Sequence, residues 1–399
     1  MQTDIPSLFV EINKSNYIFA AVVYDDNQNL KIVEKIVTPI QGINKNKFTS
    51  IDETQNIINK SVQAIESKLN FIFKEIIIIT DSFDSTCINI SGFKKLNGSQ
   101  VLKENISYIL NSLKLTITEN EKDNAILHIF NSKSILDGTI TENLPIGLFG
   151  NFYSHELTFF MIGINDLKNI HQIFNKNNLV VKKVLLKNFV EGIQLVNQDN
   201  KTETFLKITI DKDNSNISFF DDASFKYDEY FNFGTGIIFK DVGKVCSIDY
   251  ETIKTFLSDK LFKNKNYEEN DFLEEKYFSQ GKYRKIRKKL IEDIVNARIE
   301  EVIDIILNKN INIKSFKKND CRIYINIKDE LILNNFKDNF KFYFSKFYNF
   351  DTHFIHNFEP DLLIKCAANL STYGWKKEAI PVAQTKNSLI TRIFKSLFE

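Results

Sequence analysis

Glycine and proline are scarce in this 399-residue chain, at 13 and 5 residues, beside a strong bias toward Asn, Lys, Ile and Phe. That bias reads as compositional drift as much as function. The glycine shortage still matters, because loops that cradle phosphate draw on residues without a Cβ. Cysteine is rarer. Cys87, Cys246, Cys321 and Cys366 lie far apart with no C-x-x-C, which argues against a disulfide framework or a zinc site and fits a reducing compartment. Among the five histidines, His353 and His356 could share a helix face, but no carboxylate-rich motif accompanies them. No run of about 18 apolar residues exists to span a membrane. The N-terminus "MQTDIPSLFVEINKSN" lacks the charged and then apolar order of a signal peptide. These absences point to a cytoplasmic protein. A formal net charge of +1 supplies no global field for nucleic acid.

What is present is ordinary globular material, 43% hydrophobic and 26% charged, in a chain long enough for two or more lobes. "SLFVEI" (Ser7–Ile12) and "YIFAAVVY" (Tyr17–Tyr24), split by the polar Asn13–Asn16, predict a β-hairpin, and Lys31–Val37 a third strand. Asp52–Ile72 spaces Ile57, Ile58, Ala64, Ile65 and Leu69 as a helix does. "EIIIIT" (Glu75–Thr80) is the uniformly apolar run expected of a strand buried on both faces. From about Phe93 the texture changes to a helix (Ser99–Leu113), strand-like pieces around Ala125–Phe130, and "NLPIGLFGNFYSHELTFFMIG" ending in an apolar strand. A helix at Asp166–Asn177 and a strand at Val180–Leu185 follow.

The second half begins again. "TFLKITIDKDNSNISFFDD" (Thr204–Asp222) is a strand, a polar turn and a strand, the shape of Leu8–Val23. "SFKYDEYFNFGTGIIFKDV" reads as a third strand, helices follow at Asp249–Leu261 and Tyr283–Leu307, and "CRIYINI" is another buried strand. The pattern is an α/β class with mixed sheets and two lobes of related fold.

The chain closes on "NSLITRIFKSLFE". At 100° per residue, Leu389, Ile390, Ile393, Phe394, Leu397 and Phe398 take one half of the wheel, while Thr391, Arg392, Lys395, Ser396 and Glu399 take the other. Its roughly 18 Å is too short to cross a bilayer core of about 30 Å, but suits a helix lying in the interface with Arg392 and Lys395 at anionic headgroups. A helix this short needs a surface to fold on, and "KKEAIPVAQTKN" before it resembles a tether. Self-docking and a partner's groove are the alternatives.

Taken together, the chain resembles FtsA, the actin-like cell-division family. The resemblance is carried by the duplicated strand–turn–strand, "NLPIGLFGNFYSHELTFFMI", "IVNARIEEVIDIIL", "CAANLSTYGW" and the closing segment, in that order. It implies an actin-like two-lobed fold of duplicated ribonuclease-H-like domains. Residues 1–92 would form the first lobe, interrupted by an inserted α+β subdomain at 93–165 and resumed at 166–203. The second lobe would be 204–365, with a helix returning to the first lobe at 366–375, a linker at 376–388 and the membrane-targeting helix at 389–399. It also implies that the insert serves protomer contacts and later division proteins. The basic first half of Tyr283–Leu307, with Arg284 and Arg298, would meet the acidic, apolar tail of FtsZ. A run of Lys and Arg is otherwise a solvated face.

The chain departs from the family where ATP and Mg²⁺ would bind. "EINKSN", with Asn13 and Lys14, replaces a glycine-bearing turn, and "IDKDNSN", with Asp211, Asp213, Asn214 and Ser215, replaces an Asp-Ile-Gly-Gly-Gly-Thr turn. "INIKDE" (Ile325–Glu330) replaces a Thr-Gly-Gly. Asp211 keeps an acidic position suited to Mg²⁺, and Gly234 and Gly236 survive as a lone G-x-G, a weak signal. The expectation is a degenerate actin fold with no catalytic constellation. It would be a peripheral adaptor at the inner face of the cytoplasmic membrane at the division site, linking FtsZ to anionic lipid and self-assembling into filaments. The rival readings are an active ATPase of the superfamily and an actin-like protein of pilus assembly or cell shape.

Overall fold

The computed structural model describes residues 5–25, 29–44, 46–141, 143–198, 203–259, 267–268, 270–278, 283–315, 321–347 and 351–380. These divide into two compact units. The first takes the described residues of Met1–Lys201, Asp221–Tyr227 and Phe358–Glu399, and the second those of Thr202–Phe220 and Asp228–Asn357.

In the first unit, β1 (Ser7–Ile12), β2 (Asn16–Tyr24) and β3 (Leu30–Pro39) form an antiparallel meander, followed by a small hairpin of β4 (Ile43–Asn44) and β5 (Lys47–Phe48). Helix α1 (Ile51–Leu69) starts where the Ser50 side chain accepts the Glu53 N–H and stops at Asn70, which adopts φ 48°. Asp52 and Glu53 in its first turn and Lys68 in its last complement the helix dipole. Its stripe of Thr54, Ile58, Ser61, Val62 and Ile65 is buried. The isoleucine run of β6 (Glu75–Thr80) lies parallel to β1 and is buried from Ile76 onward, as a central strand covered on both faces must be.

The insert comprises β7 (Ser85–Lys95), α2 (Lys103–Asn120), β8 (Asn124–Leu136), β9 (Thr139–Thr141) and β10 (Phe152–Gly163), with β10 antiparallel to both β7 and β8. Its first strand begins at Ser85, earlier than the change of texture at Phe93 suggests. Ile109, Leu113 and Ile117 of α2, one helical turn apart, pack on Ile129, Tyr153, Leu157, Phe159 and Met161. Gly92 permits that approach, since a Cβ there would lie 2.6 Å from the Ile109 side chain. The first unit resumes with α3 (Ile164–Lys176), β11 (Val180–Leu186) parallel to β6, and α4 (Lys187–Gln198).

The second unit has β12 (Phe205–Ile210), β13 (Ser215–Asp221) up to Phe220 and β14 (Ser224–Phe231) from Asp228, then α5 (Gly236–Cys246) and α6 (Tyr250–Ser258). Helix α7 (Lys288–Ile303) runs into a π turn at Asp304–Asn308 and is followed by α8 (Ile311–Ser315), β15 (Arg322–Ile327), α9 (Glu330–Phe347) and β16 (Thr352–Phe354). Two expectations are corrected here. The stretch read as a third strand through Val242 turns helical at Gly236, and the helix expected from Tyr283 starts at Lys288.

Chain order then returns to the first unit with α10 (Pro360–Tyr373) and β17 (Glu378–Ile380). The described start of the expected 376–388 linker is not a free tether, because β17 joins the insert sheet beside β8. The reason is a buried pair, His128 Nδ1 to Glu378 Oε1 at 2.9 Å. His128 Nε2 accepts the Leu186 N–H at 3.3 Å, so the ring proton sits on Nδ1 and faces the carboxylate. Trp375 Nε1 donates to the Ala223 carbonyl at 2.7 Å and holds the approach.

Strand order reveals a duplication. The first sheet runs β3-β2-β1-β6-β11 and the second β14-β13-β12-β15-β16. Each has an antiparallel hairpin whose first strand pairs in parallel with the next strand inward, β1 with β6 and β12 with β15. Ile12 faces Tyr17 across one turn and Ile210 faces Ser215 across the other, so Asn13 and Asp211 occupy equivalent places.

Candidate functional site

Ligands of open α/β sheets bind beyond the carboxyl ends of the strands, and in both units those ends lie beside the polar turn of the hairpin. In the first unit, Asn13 occupies that turn. Its Oδ1 accepts the N–H of Ser15 at 2.9 Å and of Asn16 at 2.8 Å, and its own N–H donates to the Asn16 carbonyl at 3.0 Å. The amides an anion would need are therefore satisfied by the carboxamide oxygen, a side chain mimicking a backbone turn. Lys14 is half-buried in the same turn.

Beneath the turn is a charged cluster assembled from three strand ends. Glu11, one residue from the end of β1, is 2% exposed. Asp81 follows β6 and Lys187 follows β11. Lys187 Nζ donates to Glu11 Oε1 at 2.7 Å and lies 3.9 Å from Asp81 Oδ2. Asn13 Nδ2 donates to the same Glu11 oxygen at 3.2 Å. Burial works against the Lys187 ammonium, but the carboxylates of Asp81, Glu11 and Glu191 outweigh it and hold the ammonium protonated well above the usual lysine range. Glu11 Oε2 and Asp81 Oδ1 are buried without a hydrogen-bond partner among the described residues.

The second unit closes its turn differently. Asp211 Oδ1 accepts the Lys212 N–H at 2.7 Å, and Asp211 N–H donates to the Asn214 carbonyl at 2.9 Å. Lys328, which follows β15 as Asp81 follows β6, places Nζ 3.2 Å from Asp211 Oδ2. Asp213 is exposed at the tip, and Ser215 Oγ donates to the Phe233 carbonyl at 2.7 Å. Gly234 and Gly236 serve packing. The Thr235 N–H reaches the Asp211 carbonyl at 2.8 Å and the Gly236 N–H the Lys212 carbonyl at 2.7 Å. A Cβ at Gly234 would meet the Asp211 carbonyl oxygen at 2.0 Å. These glycines let the start of α5 press against the hairpin turn. At "INIKDE" the Asp329 carboxylate accepts the Ile332 N–H at 3.1 Å and the Thr235 hydroxyl at 3.3 Å, so α9 begins on an anion of the chain itself.

Among the described residues no group of three or more His, Cys, Asp or Glu side chains is set to hold a metal ion. In the first unit a lysine already stands between the carboxylates.

The residues expected to meet a partner fare unequally. Arg284 is exposed. Arg298 is engaged within its own unit, its Nε pairing with Asp241 and its Nη1 with Glu301 at 2.6 Å. The whole segment Leu389, Ile390, Arg392, Ile393, Phe394, Lys395, Leu397 and Phe398 lies outside the described residues. Among the described residues no helix is long and apolar enough to cross a membrane. Glu11, Asp81, Lys187, Lys328 and Asp329 were not singled out from sequence. The signals available were a glutamate inside the otherwise apolar "SLFVEI" and, for Lys328 and Asp329, the stretch "INIKDE".

No family model and no curated protein matches the chain. Solved structures do. A chain of the PilM-PilN type IV pilus biogenesis complex aligns at TM-score 0.54 and 8% identity, covering 93% of this chain and 98% of that one. The ethanolamine utilization protein EutJ from Carboxydothermus hydrogenoformans aligns at 0.43 and 10% identity, over 91% and 88%. MreB5 of Spiroplasma citri bound to AMPPNP aligns at 0.42 and 9% identity, over 92% and 96%. The end-to-end match to the pilus protein and the twice-repeated strand order agree: the chain has the actin-like fold, two ribonuclease-H-like units with an α+β insert in the first.

Proposed function

We propose that this protein is an actin-fold adaptor that works by binding, not by turning over nucleotide. The observation that carries this reading is the closure of both hairpin turns from within, by Asn13 in one unit and by Asp211, paired with Lys328, in the other. Loops that cradle phosphate offer unsatisfied amides, and here the chain's own oxygens take them.

In the finer form of the proposal, Leu389–Phe398 anchors the protein on anionic lipid at the inner face of the membrane. The second unit, with Arg284 at its surface, takes the acidic tail of FtsZ. Two weak contacts gain avidity once copies line up along a filament. The insert adds a further surface for protomers or later division proteins. Phe93, Phe149 and Phe152 are exposed there, and the Phe93 and Phe152 rings stack at 5.3 Å. Flotation with anionic liposomes, beside a truncation after Lys386, tests the anchor. The intact chain is expected to float and the truncated one to stay in solution; if both stay in solution, the membrane role fails.

A second reading follows from the near-complete alignment with the pilus protein. The same adaptor would bind a protein partner of a pilus-biogenesis type. Capture by immobilised FtsZ tail peptide, against capture by a PilN-type peptide, separates the two.

A further inference from the structure

Three strand ends of the first unit converge on one point, at the carboxyl ends of the strands where open α/β sheets bind ligands. The chain has put a lysine in that place. Glu11 lies in β1, Asp81 follows β6 and Lys187 opens α4, so groups from three distant parts of the sequence meet only because the strand order is β2-β1-β6-β11. The ammonium touches Glu11 at 2.7 Å and faces Asp81 at 3.9 Å. Asn13 spends one end of its carboxamide on Glu11 and the other on the turn amides, tying cluster to turn. The lysine side chain is 15% exposed and Glu11 is 2% exposed. Two carboxylates at this depth must be neutralised by a cation, a proton or a metal.

We propose that Lys187 is a built-in counter-ion that occupies the place a divalent cation could take at the strand ends of the first unit. The ammonium then offsets part of the carboxylate charge from within, without ligand. The turn above it is pre-formed, and the unit neither needs nor takes a metal–phosphate group. The proposal deepens the binding-not-turnover reading and rests on it for its functional meaning. It also makes a separate physical claim, that removing the lysine uncovers a cation site.

The test is thermal unfolding of the full chain with and without millimolar Mn²⁺, for the native protein, Lys187→Met, and Glu11→Gln with Lys187→Met. The native Tm should not move with Mn²⁺. Lys187→Met should fall by about 5–10 °C and recover in large part with Mn²⁺. The double variant should regain stability without metal and ignore Mn²⁺. If Lys187→Met does not fold while the double variant does, the counter-ion role stands, since the defect is then uncompensated charge. The proposal is overturned if the double variant also fails to fold, if Lys187→Met folds but ignores Mn²⁺, or if the native protein shows an Mn²⁺ shift that Glu11→Gln removes. A response of the native protein to ATP alone, with these results unchanged, would defeat the adaptor reading and leave the counter-ion in place.

Discussion

The two hairpin mouths have one topology and opposite charge plans. In the first unit the anions are Glu11 in β1 and Asp81 just past β6, and the cation comes from the start of α4. In the second the anion is Asp211 in the turn, and the cation is Lys328, which stands where the first unit has Asp81. Burial separates them further. Lys328 and Asp211 keep 37% and 30% of their side chains accessible, whereas Glu11 keeps 2%. Duplicated strand order thus sets where a polar cluster forms, and local residues decide its sign and depth. The energetic consequences differ accordingly. A buried carboxylate stripped of its partner is strongly destabilising, while an exposed pair in water is worth little.

Variants can break or sharpen that contrast. The largest effect is expected for Lys187→Met, about 3–5 kcal/mol lost from the first unit in urea unfolding. A smaller loss there would mean that the cluster is wet.

Next in size is an acid effect in the insert. His155 is 0% exposed and neither ring nitrogen has a partner among the described residues. Burial lowers its folded-state pKa from 6.5 to about 4. Above 6.5 the folded and unfolded forms are both neutral. As pH falls from 6.5 to 4 the unfolded chain takes a proton that the folded one refuses, so stability drops through that window, by roughly 3 kcal/mol for this group. His155→Leu should flatten the pH dependence measured by urea unfolding, and an unchanged slope would contradict the assignment. The comparison with Lys187 is direct: a buried charge survives with partners, and a buried imidazole without them stays neutral.

Asn13→Ala comes third, at about 1 kcal/mol for the lost turn acceptor. Its signature would be faster amide exchange at Ser15 and Asn16 with little global change. Lys328→Met closes the series at below about 1 kcal/mol, and its small effect should shrink further in high salt. If Lys328→Met matched Lys187→Met, the contrast in depth would be wrong.

Much of this architecture was legible in the residues. The alternation of Ser7–Tyr24 about a polar turn, and its echo at Thr204–Asp222, announced both hairpins and the duplication. The isoleucines of β6 announced a central strand, and the spacing in Asp52–Ile72 announced α1. Other elements were hidden for physical reasons. Polar residues at the start of β7 are stabilised by pairing with β10. Helix α5 opens in a Gly-Thr-Gly stretch, and α9 is written in Asn and Phe, so local preference spoke against both. Strand β17 exists because Glu378 meets His128, 250 residues away. The Glu11–Asp81–Lys187 cluster was invisible for the same reason, since no spacing rule links residues joined only through sheet order.

The most direct test of the account is titration of Mg-ATP, to millimolar concentration, into the intact protein, following heat of binding and phosphate release together. Closed turns and a resident lysine predict no saturable heat and no phosphate above background. Saturable, Mg²⁺-dependent binding that disappears in Glu11→Gln would contradict the account and return this chain to the nucleotide-driven members of its fold.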